Sequence, residues 1–180
     1  ELLSDSVKEI FFSLEWANME TIYFTRVDEA HRPHKLFKYT LGGKEELVYE
    51  EKDPGFNVGV DRTADKKYLF LEIESLNSSE VYYLPTDNLD QGFTLIQKRQ
   101  EELLYGVEHY RGDFIIRTNK GAVDFKIVKT SVGSPGIENW NDLLSGGKGI
   151  YYEGLVVFDK YLVVFLKEEG LDQILIQNWS

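Results

Sequence analysis

Four times along this chain a short apolar strand, a polar turn and a second apolar strand recur, at a spacing that barely changes. The stretches are "TIYFTRVDEAHRPHKLFKYTL", "KYLFLEIESLNSSEVYYLPTD", "DFIIRTNKGAVDFKIVKTSV" and "KYLVVFLKEEGLDQILIQNW". Their first-strand anchors Tyr23, Tyr68, Phe114 and Leu162 lie 45, 46 and 48 residues apart, and their second-strand anchors Leu36, Val81, Phe125 and Ile174 lie 45, 44 and 49 apart. Between the hairpins come further strand candidates in pairs: "ELVYEE" with "FNVGVDR", "FTLIQKR" with "LLYGVEHY", and "WNDLL" with "IYYEGLVVF". Helical periodicity is nearly absent. Four short antiparallel strands per repeat of this length predict an all-β chain built from β-propeller blades.

The blades are expected at about residues 10–51, 56–99, 103–144 and 150–178. In the first, strand A is "IFFSLEW" (10–16), B is "TIYFTRV" (21–27), C is "HKLFKYTL" (34–41) and D is "ELVYEE" (46–51). The fourth stops after strand C, which makes about three and three-quarter blades. That is a fragment of a ring rather than a closed one, since propellers have roughly 4–8 blades. Blades stack face against face, so middle strands are expected to be apolar on both faces. "YLFL" and "YLVVFL" have that character. The Gly-rich "SGGKG" (145–149) reads as a blade-to-blade turn.

With 42% apolar and 14% aromatic residues, the chain is rich enough to build a core. It has no cysteine, which excludes disulfides and Cys-ligated metal sites and fits a reducing, cytoplasmic compartment. The net charge of −11 disfavours nucleic acid and anionic lipid and favours cationic peptides. No apolar run approaches the roughly 20 residues of a membrane span. The opening "ELLSDSVKEI" has neither signal-peptide character nor an initial Met, so the chain reads as an excised or processed segment.

The two histidines of "HRPH", His31 and His34, raise the question of a metal pair. A zinc site needs at least a third ligand, and the remaining histidine, His109, falls on a different blade. Pro33 suits a turn, and a solvated B–C turn is the expectation. No metal or other cofactor is expected. "VGSPG" (132–136) has the letters of a nucleophile elbow at the wrong spacing and reads as a turn. No G-x-x-x-x-G-K-[ST] loop occurs. The acidic residues Glu15, Asp61 and Glu108 fall late on successive A strands, the strands that line a propeller's central channel. Two roles stay open for them: a ring of negative charge for a cationic peptide, or solvated strand-end caps.

Several stretches carry a closer resemblance. "WANMETIYFTRVDEAHRPHKLFKYTLG", "LVYEEKDPGFNVGVDRT", "SSEVYYL", "VEHYRGDFIIRTN" and "ENWNDLL…YYEGLVVFDKYLVVFLKEEGL" resemble the propeller domain of the oligopeptidase B (protease II) group, in the prolyl oligopeptidase family of serine peptidases. The resemblance covers nearly the whole chain, in order. It implies a seven-bladed propeller that caps a C-terminal α/β-hydrolase domain with a Ser, Asp and His triad. It also implies cleavage of short peptides after Arg or Lys, with the propeller restricting access. The triad belongs to the hydrolase domain, so no catalytic residue transfers to this chain and the fragment alone is expected to be inactive. A stand-alone interaction scaffold and an enzyme with carboxylate chemistry in its channel are the alternatives. The uncovered blade faces and the free edge of "QILIQNW" (173–179) predict self-association.

Overall fold

The computed structural model describes residues 6–11 and 13–179. Among the described residues fifteen strands form four sheets. The first holds β1 (Leu14–Trp16), β2 (Thr21–Val27), β3 (Pro33–Thr40) and β4 (Glu45–Glu50). The second holds β5 (Asn57–Arg62), β6 (Tyr68–Glu74), β7 (Ser79–Pro85) and β8 (Thr94–Gln97). The third holds β9 (Tyr105–Tyr110), β10 (Asp113–Thr118), β11 (Lys126–Ser131) and β12 (Asn141–Leu144), and the fourth β13 (Ile150–Val157), β14 (Tyr161–Glu168) and β15 (Leu171–Asn178). In every sheet the strands lie side by side in chain order. Single-turn 3-10 helices occur at Leu89–Gln91 and Ile137–Asn139.

The expected strands are all present, most within two residues of their predicted ends. The exception is the first. Its ladder starts at Leu14 rather than Ile10. Upstream, the Phe11 N–H donates to the Thr25 carbonyl and the Thr25 N–H to the Ser13 carbonyl. The Thr25 hydroxyl binds the Phe11 carbonyl, so a side chain replaces regular pairing there. Phe12, within the predicted strand, lies outside the described residues, as do residues 1–5 of the opening stretch and Ser180.

The chain forms two compact units: one comprises the residues up to Leu76 with Val81–Leu95, the other Asn77–Glu80 with the residues from Ile96 onward. In the first unit β5 packs across β1, β2 and β3. Leu36, Val58, Leu69, Ile73 and Leu84 form the centre of its core. In the second unit β13 packs against β9 and β10, and Ile115, Ile127, Leu162 and Val164 fill the space between. Middle strands β2, β6 and β10 bury consecutive residues on both faces, Tyr23–Phe24, Leu69–Leu71 and Phe114–Ile116 among them. Strand β14 departs from that expectation. Leu162, Val164 and Leu166 are buried, while Tyr161 and Phe165 face solvent. Its sheet packs through one face only among the described residues, so the apolar run is used on alternate positions. Beyond it, β15 exposes Leu171, Ile174 and Ile176 at 68%, 63% and 64%.

Turn chemistry sets the registers. Arg111-Gly112 joins β9 to β10 with φ of +49° and +96°, and Glu169-Gly170 joins β14 to β15 with +51° and +79°. Paired positive φ values mark the tight hairpin turn whose twist matches the strands. The "VGSPG" stretch is a turn as expected: the Thr130 hydroxyl donates to the Ser134 carbonyl at 2.8 Å and the Trp140 indole to that of Pro135 at 2.8 Å. Within "SGGKG", a Cβ on Gly146 would lie 2.9 Å from the Phe125 carbonyl oxygen, so backbone approach requires glycine.

Candidate functional site

The "HRPH" stretch is the hairpin turn between β2 and β3. The Asp28 N–H donates to the Arg32 carbonyl and the His31 N–H to the Asp28 carbonyl. The Asp28 carboxylate accepts from the N–H groups of Ala30 and Arg32 at 2.9 and 3.0 Å and from Arg32 Nε at 2.9 Å. These bonds hold its carboxyl below the usual carboxylate range. His31 takes a φ of +61° at the tip, and His34 enters β3. The third histidine, His109, is buried on β9, where its Nε2 accepts from the Gly112 N–H at 3.0 Å. Among the described residues no group of three or more His, Asp or Glu is placed to hold a metal.

The residue that organises this turn is Arg32, which the sequence reading passed over. Its guanidinium reaches the segment between β4 and β5. Nη1 donates to the carbonyls of Phe56 at 2.8 Å and Asp53 at 3.0 Å, and both Nη atoms lie 3.4 Å from that of Glu51. One side chain therefore ties a hairpin of the first sheet to the strand entering the second. Asp28 four residues earlier and Pro33 just after were its sequence signals.

Glu15, Asp61 and Glu108 occupy one register position. Each sits on the first strand of its sheet, opposite the third residue of the second strand: Tyr23, Phe70 and Ile115. Glu15 and Asp61 share the first unit and are brought within electrostatic reach. Burial first, and then the charge of Asp61, raise the Glu15 carboxyl above its ordinary 4.5, and Arg62 partly offsets them. Asp61 Oδ1 accepts from the Arg62 N–H at 2.7 Å. Nearby, burial, then Glu46 and Asp90, push the Tyr23 phenol up to about 12. Glu108 holds the matching place on β9 of the second unit and is half-buried. The pair in the first unit can attract a cation or hold a proton.

In the second unit the sequence reading also passed over Arg117. Its Cζ lies 3.5 Å from the centre of the Phe125 ring and its Nε donates to the Tyr152 carbonyl at 2.6 Å. It sits opposite Gly106 on β9, whose missing side chain leaves room above the strand. Burial lowers its pKa, which the Tyr151 phenol and Glu153 counter. It bridges the third and fourth sheets as Arg32 bridges the first and second.

Comparison with known proteins places these sheets. The family model for the prolyl oligopeptidase N-terminal β-propeller domain matches residues 1–179. Protease 2 of Moraxella lacunata is 31% identical, over 97% of this chain and 26% of that protein. The prolyl endopeptidase-like protein of Rattus norvegicus is 32% identical, over 88% and 23%. Oligopeptidase B from Trypanosoma brucei, solved in a closed form with covalently bound antipain, superposes with a TM-score of 0.93 at 24% identity, over 99% of this chain and 26% of that one. Oligopeptidase B from Leishmania major gives 0.93 at 23%, over 100% and 26%. The chain thus spans about a quarter of the length of these relatives. The four sheets are propeller blades, three complete with four strands and one with three.

Proposed function

This chain belongs to the prolyl oligopeptidase family, as part of its N-terminal β-propeller domain, and on that premise we propose that it is the substrate-gating, non-catalytic portion of a serine oligopeptidase that hydrolyses short peptides after Arg or Lys. The match of the family model along residues 1–179 carries this reading. In it, a C-terminal α/β-hydrolase domain supplies the triad, and the propeller admits short chains and excludes folded ones. The absence of cysteine agrees with a cytoplasmic setting.

The acidic surface supports the preference for basic peptides. With a net charge of −11, the chain concentrates cationic substrates by long-range attraction. Glu15, Asp61 and Glu108 are the residues proposed to present that charge along the channel. The test compares the purified 180-residue chain with the polypeptide of its whole gene on an Arg- or Lys-containing reporter peptide. The whole polypeptide is expected to hydrolyse it and to be blocked by serine-directed reagents, and the chain alone to be inactive. Turnover by the chain alone, or no hydrolysis by the whole polypeptide, would overturn the reading.

A further inference from the structure

A groove of about 610 Å³ opens at the turns that follow β1 and β5, lined by Trp16, Met19, Arg62, Lys66, Thr86 and Asp87, together with Ala17 and Asn18. Its volume falls within the range of small-molecule sites, roughly 300–1,000 Å³. All of it belongs to the first unit. Its apolar walls are open to solvent: Trp16 is 42% and Met19 89% exposed.

Neither cation of the groove forms an ion pair among the described residues, although Arg62 lies within electrostatic reach of Glu15. Arg62 Nη2 makes only long contacts, 3.5 Å to the Ala17 carbonyl and 3.4 Å to that of Lys66, and its Nε is buried without a hydrogen bond. Those two long contacts leave the guanidinium with hydrogen-bonding capacity to spare. Asp61 and Glu15 sit on neighbouring positions of the same strands; Glu15 feels the Arg62 charge at a distance, and the Asp61 carboxylate accepts from the Arg62 backbone N–H rather than from the guanidinium. In a chain where Arg26, Arg32, Lys35, Lys38, Arg99 and Arg111 all hold a carboxylate, Arg62 and Lys66 hold none among the described residues. Trp140 and Trp179 donate their indole N–H groups to the carbonyls of Pro135 and Phe158. The Trp16 indole has no acceptor among the described residues. The Thr86 hydroxyl donates to the Lys66 carbonyl at 2.9 Å and stiffens the rim.

Two cations that form no ion pair among the described residues, with an open indole donor beside a bare aromatic face and a thioether, match an anion with an apolar side chain. We propose that this groove binds the C-terminal carboxylate of a short peptide whose last side chain is aromatic or aliphatic. Arg62 and Lys66 meet the carboxylate, and Trp16 and Met19 cover the side chain. Asp87, on the rim, is placed for the amino group or an amide N–H of the same peptide. Free carboxylates of this kind belong to short peptides and to cleaved chains, so the groove reads chain ends rather than internal sequence.

The probe is N-acetyl-glycyl-phenylalanine, added to the isotope-labelled 180-residue chain and followed by NMR, with its C-terminal amide as the control. The Trp16 indole and Arg62 signals are expected to move with the acid, while those of Trp140 and Trp179 stay. The amide is expected to bind at least about tenfold more weakly, since it removes the charge from the hydrogen bonds. Arg62→Gln abolishes the difference between acid and amide, and Arg62→Lys retains part of it. Unchanged amide dispersion in the rest of the spectrum verifies that each variant is folded. Equal binding of acid and amide, no movement of Trp16 at millimolar peptide, or a Trp16 signal that shifts with protein concentration alone overturns the proposal. The last outcome assigns the groove to a second copy of the chain.

Discussion

Replacing Arg32 by alanine tests how the first unit is held together. The side chain is only 15% exposed, and it donates to the Phe56 and Asp53 carbonyls at 2.8 and 3.0 Å. Each of these charge-assisted bonds contributes about 1–1.5 kcal/mol at a partly buried site. The 3.4 Å contacts to Glu51 add little. Asp28 stands at the solvent, so its ion pair shapes the turn and is left out of the sum. The expected loss is about 2–3 kcal/mol, or roughly 5–10 °C in melting temperature for a chain of this size. Urea unfolding followed by circular dichroism measures it. Amide exchange locates it, because the Phe56 N–H bonds the Asp53 carbonyl and the Asp53 N–H bonds Glu51 Oε1. Both amides should exchange faster in the variant, ahead of those in the ladders. Arg32→Lys keeps the charge but loses the planar fork, and is expected to recover less than half of the loss. A loss below about 0.5 kcal/mol, in the range of an ordinary surface change, would refute the clip, and so would full recovery by lysine.

Glu15→Gln is expected to stabilise the chain at neutral pH. The folded pKa of Glu15 lies above its ordinary 4.5, so the folded state binds the proton more tightly and ionisation costs stability as pH rises through that window. The gain should fade as pH falls toward 4.5, and a variant equally stabilised at acid pH would sink the assignment. The 180-residue chain is also expected to self-associate through the exposed Leu171, Ile174 and Ile176 of β15. Repulsion from the net charge of −11 is screened beyond a Debye length of about 8 Å at physiological salt. Sedimentation at micromolar concentration should show a species larger than a monomer that Ile174→Lys with Ile176→Lys dissolves, and a strictly monomeric parent chain would refute it.

The strands were legible because they repeat. "TIYFTRV" coincides with β2 at both ends, and the turn residues between hairpins fixed where each strand had to stop. What the pattern could not give was which faces are covered. "YLVVFL" reads as apolar on both sides, yet β14 buries alternate residues, since coverage depends on a neighbouring sheet that no local window contains. The onset of β1 was misplaced because one hydroxyl, that of Thr25, captures the Phe11 carbonyl. Of the candidate site, the spacing along the chain delivered the shared register of Glu15, Asp61 and Glu108. It could not deliver the meeting of Trp16 with Arg62, which come from different sheets and whose proximity exists only after packing.

The polar groups that join one sheet to the next were invisible for a different reason. A connection between sheets leaves carbonyl and N–H groups outside any ladder, and each needs a partner. Between β4 and β5 the partner is Arg32, from a hairpin. Between β8 and β9 it is the buried Glu80, which accepts from the Arg99 N–H at 3.0 Å, together with Asn119, which donates to the Glu102 carbonyl at 2.8 Å and accepts from the Leu104 N–H at 2.9 Å. Between β12 and β13 it is the Tyr152 hydroxyl, 3.4 Å from the Ser145 carbonyl. One backbone problem is solved by four unlike side chains: a guanidinium, a carboxylate, an amide and a phenol. The apolar strands must repeat because every blade buries the same shape. The connecting groups need only satisfy a donor or an acceptor, which many residues can do, so selection leaves them without a common letter for a repeat search to find.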